Sequence, residues 1–445
     1  MGLHNITGEF KSIYKRLFKS KDEYGENRKS IVVDNYFAGI TDTLINGNLF
    51  TGMLILLHAE DIFIGIVTMI RSLGNILQIL SPLFLEKYER RKRVLISGRA
   101  CTYMLNIIFI GIIPFLSINN STKLYLIFGV TMFSSFIGAI LGPGYTVWHI
   151  KSVPMKVRDD YFSFMSVTSN VIIFLTAFLA GKFVDIYKAD GNELTGITII
   201  RIIALIICIL DIIALTKIRE YPNSDKTINK KTNLKDALIT PFKEKKYLLT
   251  VAVGCLWNLS ASIPGPYFTV YLLKDLGVSY STISLVNMIL PIMLIFMTTF
   301  WNRKIKKTSY FKTLKFLMSI YLIHYLGLSL VSHKTIILYP LFVLLAFVFY
   351  AGIARVFAGI IFVNMPESNQ TNFIGFYQSM NSVAAFIGME IGNIFIKFTK
   401  DIKLSVFGLE IYNKQLLLVF TAIVMLCAVI LISYLDNLNN RRTWR

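Results

Sequence analysis

Residues 30–58 read SIVVDNYFAGITDTLINGNLFTGMLILLH, a run long and apolar enough to cross a lipid bilayer as one helix. Polar residues interrupt this run at Asp34, Asn35, Asp42 and Asn46. Because an α-helix turns by about 100° per residue, Asn35, Asp42 and Asn46 share one face. A carboxylate near the middle of a spanning helix costs at least ~2.5 kcal/mol. This face therefore needs a protein interior or a watery cavity, which other spans must supply.

The whole chain has the composition of a polytopic membrane protein. Hydrophobic residues make up 54% of its 445 residues, charged residues only 16%, and the mean hydropathy is +0.59. A soluble domain would carry about 25% charged residues. The apolar residues also form long blocks, which indicates that the spans are helices.

The apolar blocks predict twelve spans. They lie at residues 31–57, 62–84, 94–117, 123–149, 161–185, 194–217, 247–273, 280–301, 311–332, 335–363, 372–397 and 412–435. Basic residues crowd the N-terminal tail and the loops after spans 2, 4 and 8, and most other loops hold few. By the positive-inside rule we expect both termini in the cytoplasm. The net charge of +20 is then an orientation signal and does not indicate nucleic-acid binding.

The spans divide the chain into five segments. Residues 1–29 form a basic cytoplasmic tail whose apolar residues, at helical spacing, predict an amphipathic helix on the membrane surface. Residues 30–217 and 247–435 each hold six spans. The polar residues 218–246 form a cytoplasmic linker between these two bundles, and residues 436–445 form a cytoplasmic C-terminal tail.

The two halves repeat each other. Pro154 precedes Tyr161 by seven residues after span 4, and Pro366 precedes Phe373 by seven residues after span 10. Asparagines in spans 2 and 8 keep the same offset of 212 residues that separates Tyr161 from Phe373. Such a duplicated six-helix unit is typical of secondary transporters, in which the binding site lies at the interface of the repeats.

The loop after span 2 resembles the signature sequence of the major facilitator superfamily. The signature of that family runs approximately G-x-x-x-D-R-x-G-R-R, and residues 81–93 read SPLFLEKYERRKR. Arg90 and Arg91 match its basic pair, and Glu86 replaces its aspartate. A weaker copy, FWNRKIKK, follows span 8. The resemblance implies an all-α membrane protein whose twelve transmembrane helices form two pseudo-symmetric six-helix bundles around a central cavity.

The resemblance also implies a gating role for this loop. Glu86 is expected to bind a helix N-terminus or a cation when the cytoplasmic side closes, since a carboxylate is attracted to the positive end of a helix dipole. Arg90 and Arg91 belong to the same gate, or contact lipid headgroups.

Helix-breaking residues occur in two spans that the resemblance places beside the cavity. Gly142 and Pro143 are expected to kink the inner half of span 4, and Pro264 and Pro266 the outer half of span 7. Kinks there would allow a gate to bend.

Four charged residues are expected near mid-membrane, with Arg355 toward the cytoplasm and Glu390 toward the outside: Asp42 in span 1, Arg71 in span 2, Arg355 in span 10 and Glu390 in span 11. In one interpretation, Asp42 or Glu390 takes up a proton, breaks an ion pair with Arg71 and shifts the inward–outward equilibrium. In the other, the pairs are static and fix the packing of the helices. Asp34 lies about two turns nearer the cytoplasm than Asp42, so we expect it at a gate or on the surface.

Further residues are candidates for binding the substrate. Arg355 either binds an anionic or carbonyl-bearing group or pairs with an aspartate of span 1. Six residues with polar tips are expected to line the cavity: Asn35, Asn46, Tyr145, Trp257, Asn258 and Tyr267. Aromatic rings with polar tips suit an organic molecule that has an apolar body.

Enzyme motifs do not occur in the sequence. It has no Walker A loop, no GxSxG and no HExxH, and its four cysteines stand singly inside apolar blocks. We therefore expect no enzyme activity, no cofactor and no metal, and a gradient must supply the energy.

We interpret the chain as a secondary active transporter that works by alternating access, with a small organic molecule and protons as its partners. Export is favoured because an aromatic cavity suits amphiphiles. Proton-coupled uptake of a polar nutrient is the first alternative, and a lipid flippase or a non-transporting receptor on the same fold is the second. The Ile-, Lys- and Asn-rich composition favours a bacterial cytoplasmic membrane. We expect a monomer that contacts membrane lipids and does not bind nucleic acid.

Overall fold

The computed structural model describes residues 17–18, 24–78, 81–85, 88, 90–150, 152–154, 157–220, 241–361, 364–366, 370–400, 404–406 and 409–442. Within these residues the chain is helical apart from one small hairpin. The hairpin pairs β1 (Leu404–Val406) with β2 (Leu409–Ile411) in antiparallel register, with Leu404 opposite Ile411.

The helices of the first half are long and follow the predicted spans. They are α1 (Gly25–Ile45), α2 (Gly47–Leu56), α3 (Asp61–Leu77), α4 (Ser81–Leu85), α5 (Lys92–Tyr103), α6 (Asn120–Ile150), α7 (Arg158–Ala189) and α8 (Glu193–Lys217). A π-helical segment, Met104–Phe109, continues α5, and short helical turns carry it on to Phe115.

The helices of the second half show the same pattern. They are α9 (Lys245–Ser262), α10 (Tyr267–Val270), α11 (Tyr280–Asn287), α12 (Ile289–Lys307), α13 (Tyr310–Ser329), α14 (Leu338–Ile360), α15 (Gln370–Phe398) and α16 (Asn413–Arg442). A π-helical turn, Tyr271–Asp275, follows α10.

Nine helical segments of the described chain are long and apolar enough to cross a membrane. They coincide with the predicted spans 3–8 and 10–12. The three other predicted spans are helical but do not reach this length or hydropathy, because span 1 is divided between α1 and α2, α3 is short, and α13 contains lysines. A multi-pass helical membrane protein is therefore supported, and the number of twelve spans stays a prediction.

The chain forms two compact units. The first comprises Met1–His58, Leu77–Ile228 and Ser279–Ser284. Inside it α1 packs most closely against α8 and α7, and α5 packs against α6. Its apolar core includes Leu95, Leu141, Trp148, Tyr161 and Leu215. The start of predicted span 8 thus folds with this unit.

The second unit comprises Ala59–Ile76, Asn229–Val278 and Leu285–Arg445. Within it α9 packs against α15, and α13 packs against both α14 and α16. A small core of Ile263, Tyr267, Ile396 and Leu417 joins α9, α10, α15 and α16. Most of predicted span 2 folds with this unit.

Two predicted spans are broken in the structure. In span 1, Asn46 has an extended backbone and Gly47 a positive φ of +60°, a conformation that glycine adopts without the strain of a Cβ atom. In span 7, α9 ends at Ser262 and α10 begins at Tyr267, so the break contains Pro264 and Pro266 as their sequence positions predict. By contrast, α6 continues through Pro143.

Most of the predicted N-terminal amphipathic helix lies outside the described residues. Leu17 and Phe18 are buried in the core of the first unit, where the Phe18 ring lies 5.4 Å from that of Phe164. The buried Arg28 donates two hydrogen bonds to the carbonyl oxygen of Leu17, at 2.7 and 3.0 Å. These two residues therefore pack inside the protein and not on the membrane surface.

Candidate functional site

The first unit contains a buried cluster of one arginine and two aspartates. Arg99 of α5 places Nη1 3.0 Å from Oδ1 of Asp34 on α1 and 3.1 Å from Oδ2 of Asp211 on α8. Asp34 is only 1% exposed and Asp211 is fully buried. The expectation that Asp34 lies on the surface is therefore wrong, because packing of α1 against α8 encloses it; its alternative role at a gate stays a prediction.

Aromatic side chains surround this charge cluster. Tyr103 donates a hydrogen bond of 2.6 Å to Oδ2 of Asp211. The Tyr145 ring lies 4.4 Å from the Arg99 guanidinium carbon, close enough for a cation–π contact, and its hydroxyl donates to the Leu95 carbonyl. His149 Nε2 lies 3.7 Å from Oδ2 of Asp34. Of the predicted cavity residues, Tyr145 belongs to this site.

The cluster is unbalanced in charge when both aspartates are ionised. Two carboxylates share one guanidinium, and Oδ1 of Asp211 has no hydrogen-bond partner among the described residues. A buried carboxylate without full compensation is unfavourable in a low-dielectric interior, and a bound proton removes the excess charge. The arrangement is thus chemically suited to bind and release one proton.

A second buried arginine lies at the break in span 1. Arg201 of α8 is 4% exposed. It donates hydrogen bonds to the carbonyl oxygens of Ile45, at 3.3 Å, and Asn106, at 2.7 Å. Ile45 is the last residue of α1, and Asn106 lies in the π-helical segment after α5. Arg201 therefore binds irregular backbone in two predicted spans at once.

Asp42 and Asn46 lie together at the end of α1. Asn46 donates a side-chain hydrogen bond to the Asp42 carboxylate, and Asp42 is exposed. Asn35 is half-buried and accepts a hydrogen bond from Ser169 of α7. The side chain of Arg71 lies outside the described residues, so its predicted pairing with Asp42 stays a prediction.

The predicted cavity residues of span 7 lie in the second unit. Trp257 packs against Tyr321 of α13 and Phe357 of α14, with ring centroids 5.4 and 6.1 Å away. Asn258 donates a hydrogen bond of 3.1 Å to Asn381 of α15. These contacts join one aromatic group and one amide pair to the same helix, α9.

Tyr267 and Glu390 meet through one asparagine. Asn393 of α15 accepts a hydrogen bond from the Tyr267 hydroxyl and donates one of 3.1 Å to Glu390. Asn393 also lies 2.6 Å from the sulfur of Met69 on α3. Glu390 itself is exposed. Tyr267, Asn393 and Glu390 all belong to the second unit.

Arg355 has a neutral partner. Its Nε donates a hydrogen bond to the amide oxygen of Asn302 on α12. Among the described residues no carboxylate lies within salt-bridge distance of Arg355. Its predicted roles as a substrate ligand and as a partner of a span 1 aspartate both stay predictions.

A helix-capping carboxylate occurs near the predicted signature loop. Glu86 itself lies outside the described residues. Glu220 accepts hydrogen bonds from the backbone amides of Arg91 and Lys92, at 2.5 and 3.0 Å, at the start of α5. Arg90 is exposed. Glu220 therefore caps a helix of its own unit, and the gating contact expected of Glu86 stays a prediction.

A second cap holds the start of α11 in the first unit. Asp185, near the end of α7, accepts hydrogen bonds of 2.9 Å from the amides of Tyr280 and Ser281. The Tyr280 hydroxyl donates a hydrogen bond of 2.6 Å to Glu193 of α8. Lys188 lies 5.5 Å from the centre of the Tyr280 ring. The start of α11 is therefore bound by two carboxylates, those of Asp185 and Glu193.

A third ionic group lies at the start of α3 in the second unit. Asp61 is paired with Lys274 at 2.7 Å and with Lys414 at 2.6 Å, and Lys414 also pairs with Asp275 at 2.6 Å. Burial by itself raises the pKa of the Asp61 carboxyl, but the nearby Lys414 and Lys274 outweigh it and lower that pKa below its ordinary value.

Sequence reasoning missed three charged residues inside predicted spans. Arg99, Arg201 and Asp211 all lie inside predicted spans, and charged residues at such positions indicate function. A complete inventory of charges within the twelve spans would have included them. Among the described residues, no group of three or more histidine, cysteine, aspartate or glutamate side chains lies close enough together to hold a metal ion.

Solved structures with the same fold are known. A crystal structure of a bacterial homologue of the iron transporter ferroportin, in an inward-facing state, has a TM-score of 0.69 and 13% identity; the match covers 92% of this chain and 98% of that one. The nucleoside transporter NupG has a TM-score of 0.64 and 12% identity, covering 93% and 99%. A D-xylose–proton symporter has a TM-score of 0.62 and 12% identity, covering 89% and 96%.

Identities this low show the fold alone. No curated protein sequence matches the chain at a significant level. The family model described as Major Facilitator Superfamily matches residues 36–389. This match, over most of the chain, confirms the resemblance read from the signature loop, and supports a multi-pass membrane transporter and not an enzyme. The chain belongs to the Major Facilitator Superfamily.

Proposed function

We propose that the chain is a proton-coupled secondary transporter that moves a small organic molecule by alternating access, and that the cluster of Asp34, Arg99 and Asp211 binds the coupling proton. The observation that carries the proposal is the sharing of one guanidinium, whose side chain is 14% exposed, by two buried carboxylates. Arginine keeps its proton in proteins, so the aspartates must do the titrating.

The cluster joins three helices whose relative motion would change with its charge. Asp34 lies on α1, Arg99 on α5 and Asp211 on α8. When both aspartates are ionised, each attracts the guanidinium and holds these helices together. When one aspartate takes up a proton, its attraction to Arg99 weakens, and α1 or α8 is released from α5. A protonation event then biases the equilibrium between two arrangements of the unit.

Side chains of the second unit favour an organic molecule as the transported substrate. Trp257, Tyr321 and Phe357 form an aromatic group beside the amide pair of Asn258 and Asn381. Aromatic walls with a few polar groups suit a molecule with an apolar body and polar substituents. On this basis we propose export as the direction of transport. Uptake of a polar nutrient is the second candidate, favoured by the amide pair.

Transport by reconstituted vesicles tests the proposal. The probes are adenosine, xylose, benzoate and ethidium, which cover neutral, anionic and cationic organic molecules. We expect a pH gradient to drive accumulation of at least one probe by the wild-type protein, and expect Asp34→Asn and Asp211→Asn to abolish this dependence. Accumulation that ignores the pH gradient in the wild-type protein would contradict proton coupling.

Two further variants sharpen the result. Asp42→Asn tests the exposed carboxylate at the end of α1, which is the other candidate for carrying the proton. Asp190→Asn removes an exposed carboxylate just after α7 and serves as the control, with unchanged transport expected. If Asp42→Asn alone removes the pH dependence and the buried pair does not, the coupling site lies at the end of α1.

A further inference from the structure

The break in predicted span 1 exposes the N-terminus of a helix inside the first unit. α1 ends at Ile45, and α2 begins at Gly47. The first amides of a helix have no partner within that helix, and α2 has no side-chain cap. Asn46, at the capping position, donates its side-chain hydrogen bond to Asp42 instead. The N-terminus of α2 thus keeps its free amides and the positive end of its dipole.

Arg201 lies at this break, and one of its three guanidinium nitrogens makes no hydrogen bond to the described residues. Its Nη2 lies 3.3 Å from the carbonyl oxygen of Ile45, two residues before α2 begins. Its Nε is buried and has no hydrogen-bond partner among the described residues. In the same part of the chain, no carboxylate lies within salt-bridge distance of Arg201. The guanidinium therefore brings a positive charge to the break without a counter-ion.

A purely structural cap does not account for this charge. Hydrogen bonds to the carbonyl oxygens of Ile45 and Asn106 satisfy two guanidinium nitrogens but provide no negative charge opposite the guanidinium. Burying an ion costs several kcal/mol unless an opposite charge compensates it. Charged residues inside spans usually mark substrate or ion pathways for this reason.

We propose that the break between α1 and α2 binds the anionic group, a carboxylate or phosphate, of the transported molecule. Arg201 supplies its Nε–H and positive charge, and the amides that follow Gly47 supply further donors. An unwound segment with a half-helix N-terminus is the arrangement that binds anionic groups in other transporters. The inference deepens the proposed function, on which it rests, by naming an acid as the substrate class.

Asp42 lies one turn before the break and is the nearest carboxylate on α1. Its side chain is exposed and bonded to Asn46. Its carboxylate is therefore exposed, whereas the Arg201 guanidinium is buried.

Binding of matched acids and amides to the purified wild-type protein tests the site. The probes are benzoate against benzamide, succinate against succinamide, and adenosine monophosphate against adenosine, at constant pH and ionic strength. We expect at least one anion to bind more tightly than its neutral partner, by calorimetry and thermal shift. We expect Arg201→Met to weaken the binding of that anion at least tenfold and to leave the binding of its neutral partner unchanged.

Controls separate this site from general charge effects. Arg303→Met removes an exposed arginine at the end of α12 and should leave anion binding unchanged. Gly47→Ala adds a Cβ at a φ of +60°, which strains the backbone at the break without removing charge. We expect this variant also to bind the anion more weakly. This variant decides the question if Arg201→Met does not fold.

Two results would overturn the inference: no anion binds the wild-type protein more tightly than its neutral partner, or the variants at the break bind anions as well as the wild-type protein does. These measurements use detergent-solubilised protein without a gradient. Failure here therefore leaves proton-coupled transport standing, whereas loss of coupling with intact anion binding contradicts only the proposed function.

Discussion

Arg99 illustrates how one side chain sets the energetics of a buried site. It compensates Asp34 and Asp211 together, so its removal leaves two carboxylates without a positive partner. Breaking a buried ion pair by removing one partner typically costs about 3–5 kcal/mol. We predict that Arg99→Met lowers the free energy of unfolding by about this amount, measured in detergent by denaturant titration followed by tryptophan fluorescence.

The same cluster predicts a non-additive effect that serves as the control for this variant. Adding Asp34→Asn to Arg99→Met removes one of the two uncompensated charges, so the double variant should be more stable than Arg99→Met alone. Arg303→Met, at an exposed position, should change stability little. Equal stability of the single and double variants would show that Arg99 acts through packing and not through charge.

Asp61 predicts a pH dependence with a defined sign. Its side chain is 18% exposed and paired with Lys274 and Lys414, which lower its pKa below the ordinary value of about 4. A carboxyl whose folded pKa is depressed stabilises the protein above the unfolded pKa, and this contribution is lost as the pH falls through the folded pKa. We predict that Asp61→Asn lowers the melting temperature at pH 7, and that the difference from wild type shrinks progressively as the pH falls below about 4.

The exposed Asp190 is the control for that measurement. Asp190→Asn should follow the wild-type melting curve across the whole pH range, because no lysine or arginine among the described residues lies within salt-bridge distance of it. A constant difference between wild type and Asp61→Asn from pH 7 down to pH 3 would exclude the ionic origin of the effect.

At the scale of elements, Asp185 holds the start of α11 against α7. It accepts hydrogen bonds from the amides of Tyr280 and Ser281, and a carboxylate at a helix N-terminus also interacts with the helix dipole. Loss of such a cap costs about 1 kcal/mol. We predict that Asp185→Ala destabilises the protein by this amount and accelerates hydrogen exchange of these two amides, whereas Asp190→Ala does not. Unchanged exchange in Asp185→Ala would contradict the capping role.

Glycine permits the close approach of the same two helices. A Cβ atom at Gly181 would lie 2.9 Å from backbone atoms of Tyr280 and Ser281, which cannot rotate away. We predict that Gly181→Ala destabilises the protein by about 1–3 kcal/mol through overpacking. A Cβ at Gly142 meets no atom within 4 Å, so Gly142→Ala should be neutral or stabilise α6 slightly, as alanine favours helix. Thermal unfolding of both variants checks the pair, and equal losses would contradict the contact.

At the scale of the whole molecule, the fold class could be predicted from sequence, but the pairing of charges could not. Hydropathy is summed over long windows and does not depend on tertiary contacts, so it located nine of the spans. Hydropathy treated span 1 as one continuous helix, whereas the structure breaks it at Asn46 and Gly47. Which charges meet depends on helix rotation, and this is set by the packing of α1 against α8.

The two compact units do not coincide with the two halves of the chain on either side of the predicted linker. Hydropathy places span 2 in the first half of the chain and span 8 in the second. In the structure Ala59–Ile76 folds with the second unit and Ser279–Ser284 with the first. Pairs such as Asp61 with Lys274, and Asp185 with Tyr280, stabilise these segments. Each pair joins residues about 100 to 200 positions apart, beyond the reach of local patterns.

The proposed coupling makes its last prediction for the whole transport cycle. Asp34→Asn fixes the charge cluster in a state that resembles the proton-bound form, with Arg99 and Asp211 still paired. A carrier in that state can still exchange substrate across the membrane, but it no longer moves protons with it. We predict that vesicles with Asp34→Asn retain exchange of labelled for unlabelled probe and lose accumulation driven by a pH gradient. Loss of exchange in a variant with normal thermal stability would instead assign Asp34 to the binding of substrate.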